Sequence, residues 1–105
     1  VALAARILGP KFFAKQGGDM QILKVAATSN PKAVAGAIAG ALEEDGIVEA
    51  HAIGAGAVNQ AVKAIAIARR LVEREGEAEI KVTPGFIDVE IGGEIKTGIR
   101  FVIEK

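Results

Sequence analysis

Residues 52–70 read AIGAGAVNQAVKAIAIARR. An apolar strand end runs into Gly54-Ala55-Gly56, and a helix begins at once. Glycines at such a turn let backbone N–H groups approach an anion, and the helix start adds a partial positive charge. At 100° per residue, Asn59, Lys63 and Arg70 fall on one narrow stripe, flanked by Gln60 and Arg69. Val58, Val62, Ile65, Ile67, Ala68, Leu71 and Val72 take most of the remaining circumference. A helix so apolar must be covered on more than one side. Its own sheet is one cover. In so small a domain a second subunit is the expected other, in a homodimer or higher even oligomer, with Val62 and Ile65 as the residues assigned to that contact.

Outward from this segment the pattern is regular. The stretch from Gln21 to Ala27, around Ile22, Leu23 and Val25, predicts a strand. Thr28-Ser29-Asn30-Pro31 supplies cap-type residues and a proline suited to a first helical turn, so Lys32 to Glu44 predicts a helix. Its bulky face is Val34, Ile38, Ala41 and Leu42. The opposite face, Ala33, Gly36, Ala37 and Gly40, is a flat strip expected to lie against another backbone or a closely packed helix. Ile47 to Ile53 predicts the second strand and Ala57 to Arg74 the second helix. The segment from Ala78 to Ile91 reads as a strand with an edge, bulge or bend at Pro84-Gly85, since proline cannot donate to a ladder. Gly92-Gly93 fits a two-residue turn, and Glu94 to Glu104 returns as the last strand. The order is β-α-β-α-β-β: an α+β, two-layer sandwich with both helices on one face of a mixed sheet and a long C-terminal hairpin.

Composition narrows the function. The 105 residues suit one domain with a modest core. Thirteen basic residues balance thirteen acidic ones, so any basic surface must be local. The absence of cysteine excludes disulfides, thiolate catalysis and cysteine metal sites, and nothing in the sequence implies a metal or cofactor. No run approaches the about 20 apolar residues of a membrane span, so a soluble cytoplasmic protein without membrane partners is expected. Residues 1–19 read differently, VALAARILGPKFFAKQGGD, and Met20 is taken as the start of the domain proper. The leader reads as an expression remnant or an upstream extension. The alternative is a short partner-binding arm through Ile7, Leu8, Phe12 and Phe13.

Catalytic readings fare poorly. His51 is the only histidine and sits mid-strand, where a hydrogen-bonded or surface role is the ordinary one. Ser29 is the only serine, so no Ser/His/Asp set assembles. Gly54-Ala55-Gly56 with Asn59 is a broken dinucleotide fingerprint in a chain short for that fold. The protein is expected not to be an enzyme.

The strand ILKVAATSNP (22–31), the helix VAGAIAGALEEDG (34–46), the segment AIGAGAVNQAVKAIAIAR (52–69) and the turn GGEIKTGIR (92–100) together resemble the bacterial stage V sporulation protein S family. The resemblance spans the chain after the leader. It implies an Alba-like domain that forms dimers and binds nucleic acid in spore development. Carried over to this chain, it points to Asn30 and Lys32 in the loop after the first strand and to Gly56 and Asn59 before and within the second helix. Lys63 lies one turn on, and Lys96 and Arg100 lie on the hairpin. Two departures stand out: Ala55 sits where Alba-type proteins often carry a basic residue, and the hairpin is acidic at Asp88, Glu90 and Glu94. The ordinary alternatives are solvated charge for Lys32 and Lys96, and a tight strand-to-helix turn for Gly54 and Gly56. Three functions stay open: a nucleic-acid-binding dimer, a protein-interaction module, and a small phosphorylated-ligand binder between Gly54 and Asn59.

Overall fold

The computed structural model describes residues 13–16, 20–74 and 79–105. The readings placed on Ile7, Leu8, Phe12 and Ala78 lie outside the described residues. Seven elements lie among the described residues. They are β1 (Phe13–Gln16), β2 (Met20–Val25), α1 (Pro31–Asp45), β3 (Ile47–Ala52), α2 (Ala55–Arg74), β4 (Lys81–Ile91) and β5 (Glu94–Glu104). They build an α+β sandwich whose single mixed sheet has the order β1-β2-β3-β5-β4. β2 and β3 are parallel, and every other pairing is antiparallel. Phe13–Gln16 was not expected as a strand; it adds to the outer edge of β2, from Phe13 opposite Leu23 to Gln16 opposite Met20.

The core follows from period-2 alternation meeting period-3.6 helix faces. Leu23 and Val25 on β2, Val48, Ala50 and Ala52 on β3, and Phe101 and Ile103 on β5 share one side of the sheet. There they join Val34, Ile38, Ala41 and Leu42 of α1 in one buried cluster. The face of α2 that enters this cluster is almost all alanine: Ala57, Ala61, Ala64 and Ala68, with Val72 at the end. Small side chains let α2 approach α1 and the sheet closely. The branched residues sit at the flanks, with Ile65 and Ile67 half-buried and Val62 exposed. The expected near-total cover of α2 is therefore partial within one chain.

The glycines of the small-residue strip of α1 meet no neighbour among the described residues. Gly36 and Gly40 do not lie against another element of the chain. Both are exposed, and a Cβ at either would meet nothing within 4 Å. Pro84 and Gly85 fit the edge alternative, with neither a bulge nor a bend between them. The register runs on through Pro84 opposite Phe101 and Gly85 opposite Arg100, and β4 is the sheet edge, where a missing donor does no harm. Gly92 and Gly93 both have positive φ, 57° and 85°, the combination that matches a two-residue turn to strand twist. Gly98 has a packing reason: a Cβ there would lie 2.6 Å from Ile53 Cγ1 and 2.7 Å from the Ala52 carbonyl oxygen.

Candidate nucleic-acid interface

Parallel strands that each feed a helix place both helix starts at one edge of a sheet. Here the carboxyl ends of β2 and β3 lead into α1 and α2. The two connecting loops touch, since a Cβ on Gly56 would come within 2.9 Å of Ala27 Cβ. Gln60 of α2 donates its side-chain amide to the Ser29 carbonyl oxygen at 2.8 Å, which ties the loops together. That bond gives Gln60 a structural role.

The start of α1 has no spare donors. Asn30 is its cap, and Asn30 Oδ1 accepts from the backbone N–H of Lys32 at 2.8 Å and of Ala33 at 3.3 Å. Pro31 has no N–H, and the Val34 N–H already donates to the Asn30 carbonyl. Asn30 therefore spends its side-chain oxygen on its own helix. The start of α2 is the opposite. Gly54, at φ 94°, precedes it without a side chain to cap with. The first helical bond runs from Val58 N–H to the Gly54 carbonyl. The N–H groups of Ala55, Gly56 and Ala57 are the orphan donors every uncapped helix leaves, and no acidic residue sits in that turn.

Cations follow along α2 from this edge. Lys63 and Arg70 of α2 line a shallow depression of about 320 Å³ with Pro31, Ala66 and Ile67, one residue from Lys32. Lys32, Lys63 and Arg70 are exposed, and none has an ion pair among the described residues. Arg69, by contrast, is held by Glu73 at 3.0 Å and by Glu79. Asn59 is exposed on the same helix.

The hairpin cations lie apart. Lys96 sits 3.4 Å from Glu94 near the turn. Arg100 is the register partner of His51, on the side of β5 opposite Phe101 and Ile103 and therefore away from the helices. Within one protomer the seven expected contact residues thus divide into an edge group and a hairpin group. Sequence reading also passed over a third cluster on that far face, where Lys24 contacts His51 and His51 contacts Glu49. Its one signal was a lysine between Leu23 and Val25, on the side of β2 that alternation turns from the core.

A β-α-β-α-β-β order, both helices on one face of a mixed sheet and a long terminal hairpin define an Alba-like domain. The model of the stage V sporulation protein S family matches residues 21–105, and the chain belongs to that family. The match covers both loops, both helices and the whole hairpin. No helix among the described residues is long and apolar enough to cross a membrane.

Proposed function

We propose that this protein is a small, non-catalytic homodimer that grips the phosphate backbone of nucleic acid as a regulator in sporulation. The observation that carries the reading is the edge where β2 and β3 end. Three N–H donors without a capping side chain stand there at the start of α2, Lys32 lies in the first turn of α1, and Lys63 and Arg70 continue along α2, lining a depression with Pro31. Amides at a helix start and unpaired cations are the groups that bind phosphate without reading bases. With zero net charge overall, the affinity is modest and rests on this local concentration.

Dimerisation is supported by apolar surface that one chain leaves open. The helices cover Phe101 and Ile103 at the base of the hairpin but leave the outer part of its helix-side face, and Val62 of α2, open. Phe86 is 78% exposed, Ile95 69% and Val62 50%. A second copy seated on this face doubles the cations available to one duplex and adds the hairpin pair Lys96 and Arg100 from the other side.

The test is a salt titration of binding to duplex DNA and to RNA. Three edge cations from each of two protomers give a slope of log affinity against log salt of about −5, and adding Lys96 and Arg100 from both makes it about −9. Replacing Lys32 and Lys63 by alanine flattens the slope and weakens all sequences alike. Absence of binding at low salt overturns the reading. The same apolar face then favours the second one, a protein-interaction module.

A further inference from the structure

On the sheet face turned away from the helices, Lys24 of β2, His51 of β3 and Arg100 of β5 are successive register partners and form one row across three strands. Gly85 of β4 ends the row without a side chain. Neighbours in such a row are about 5 Å apart. Lys24 Nζ is 3.1 Å from His51 Nδ1, and His51 Nε2 is 2.7 Å from Glu49 Oε1. Lys24 is only 4% exposed, and no carboxylate contacts it among the described residues.

The donors and acceptors fix the proton. An ammonium only donates, so His51 Nδ1 must be bare and accept from Lys24. The ring's single proton then sits on Nε2 and is donated to Glu49. His51 is a neutral imidazole held from both sides in one tautomer. A second proton has only Nδ1 to go to, and Nδ1 faces the lysine. Once it arrives, two donors with like charge confront each other at hydrogen-bond distance. Arg100 adds a third positive charge to the row, and among the described residues Glu49 is the one carboxylate facing it. At such separations like charges repel strongly when partly buried.

We propose that the Lys24–His51–Glu49 cluster is a pH-sensitive latch on this sheet face: protonation of His51 breaks the Lys24–His51 bond and expels the lysine from its buried position. The latch lies on the opposite face from Lys32 and Lys63, and Arg100 is the one residue it shares with the nucleic-acid reading. The charged groups facing His51 among the described residues are Lys24 from β2, Glu49 from β3 and Arg100 from β5, with β4 contributing only Gly85 to the row. Burial holds His51 below its ordinary 6.5, the hydrogen bond to Glu49 opposes this, and Lys24 and Arg100 reinforce it. Burial also brings Lys24 down to about 8, against a partial upward pull from Glu49.

The sign of the linkage follows. A folded-state value below the unfolded one means the unfolded chain binds more protons in the window between them, so stability rises with pH there. For His51 that stability is complete above 6.5 and is lost as pH falls through the lower folded value. For Lys24 it is present above 10.5 and is lost as pH falls through about 8.

The experiment is an NMR titration of the full chain from pH 9 to pH 4, following the single imidazole and the Lys24 side-chain methylene next to Nζ. The latch predicts an Nε2–H tautomer at neutral pH, a His51 midpoint below 6.5, and a Lys24 shift in the same step. Titration of His51 at or above 6.5, or a Lys24 signal that stays still through the His51 step, overturns it. His51→Gln supplies the second arm, because glutamine can accept from Lys24 and donate to Glu49 without titrating. It should fold at pH 7 and lose the Lys24 shift between pH 7 and pH 4. A Lys24 shift that persists unchanged in His51→Gln also defeats the proposal.

Discussion

The two helices of the layer start at the same edge of the sheet and are built in opposite ways. α1 is closed at both ends. Asn30 caps its start, and the Gly46 N–H donates to the Leu42 carbonyl at 2.8 Å to close its finish. It packs through large side chains, with Ile38 and Leu42 fully buried. α2 is open at its start, buries alanines, and turns Val62 and its unpaired cations outward. α1 satisfies its own backbone and fills the core. α2 leaves donors, charge and apolar surface for something outside the chain. The difference separates a helix that holds the fold from one that presents it, although both carry few polar residues in sequence.

The sharpest way to break this division is to enlarge the buried alanine face of α2. Ala64 is fully buried, so Ala64→Leu must displace α1 or the sheet. Overpacking of this kind destabilises by about 1–3 kcal/mol, read as a lower denaturation midpoint. Val62→Lys, two residues earlier and half exposed, should leave monomer stability within about 0.5 kcal/mol of the parent and abolish self-association instead. Light scattering at micromolar concentration separates the two effects. A native protein that is already monomeric there removes the dimer from the proposed function. Equal loss of fold stability in both variants would show that α2 has no presenting side.

The next effect belongs to the cap of α1. Asn30→Ala returns two N–H groups to solvent and should lower stability by about 1 kcal/mol. Because those donors are already used within the helix, the variant should leave the salt slope of nucleic-acid binding unchanged. A flattened slope would instead place Asn30 against phosphate and erase the contrast between the two helix starts.

The same contrast explains what sequence could and could not disclose. The core face of α1 was legible because Val34, Ile38 and Leu42 repeat at helical spacing and the opposite side is small. The hairpin was legible because Gly92-Gly93 has one structural meaning between two alternating strands. For α2 the pattern misled. Its branched residues outshine the alanines in hydropathy, yet alanines fill the 0% exposed positions, because close helix approach rewards small volume over hydropathy. Gln60 flanks the polar stripe of α2 in sequence, but its partner is a carbonyl 31 residues away, and no local pattern encodes that contact. Lys24 and His51 are 27 positions apart, and only the parallel register of β2 and β3 makes them neighbours.

The smallest predicted effects test the two helices through their glycines. Glycine in a helix interior is less favourable than alanine by about 1 kcal/mol, mostly through backbone entropy. At Gly40 in α1 a methyl group would meet nothing, so Gly40→Ala should stabilise the chain by somewhat less than that amount, and Gly36→Ala should act alike. At Gly56 in α2 the same change places a methyl 2.9 Å from Ala27 Cβ, closer than carbon atoms pack, and the neighbouring loop must shift. There the propensity gain is offset, and Gly56→Ala should be neutral to destabilising despite the identical chemistry. Thermal melts of the three variants at several protein concentrations decide the matter. A stabilised Gly40→Ala confirms that the strip on α1 faces solvent. A destabilised one, with a loss that grows with protein concentration, would mean that a second copy packs its backbone against Gly36 and Gly40. The partner would then meet α1 as well, and the division of labour between the helices would fail.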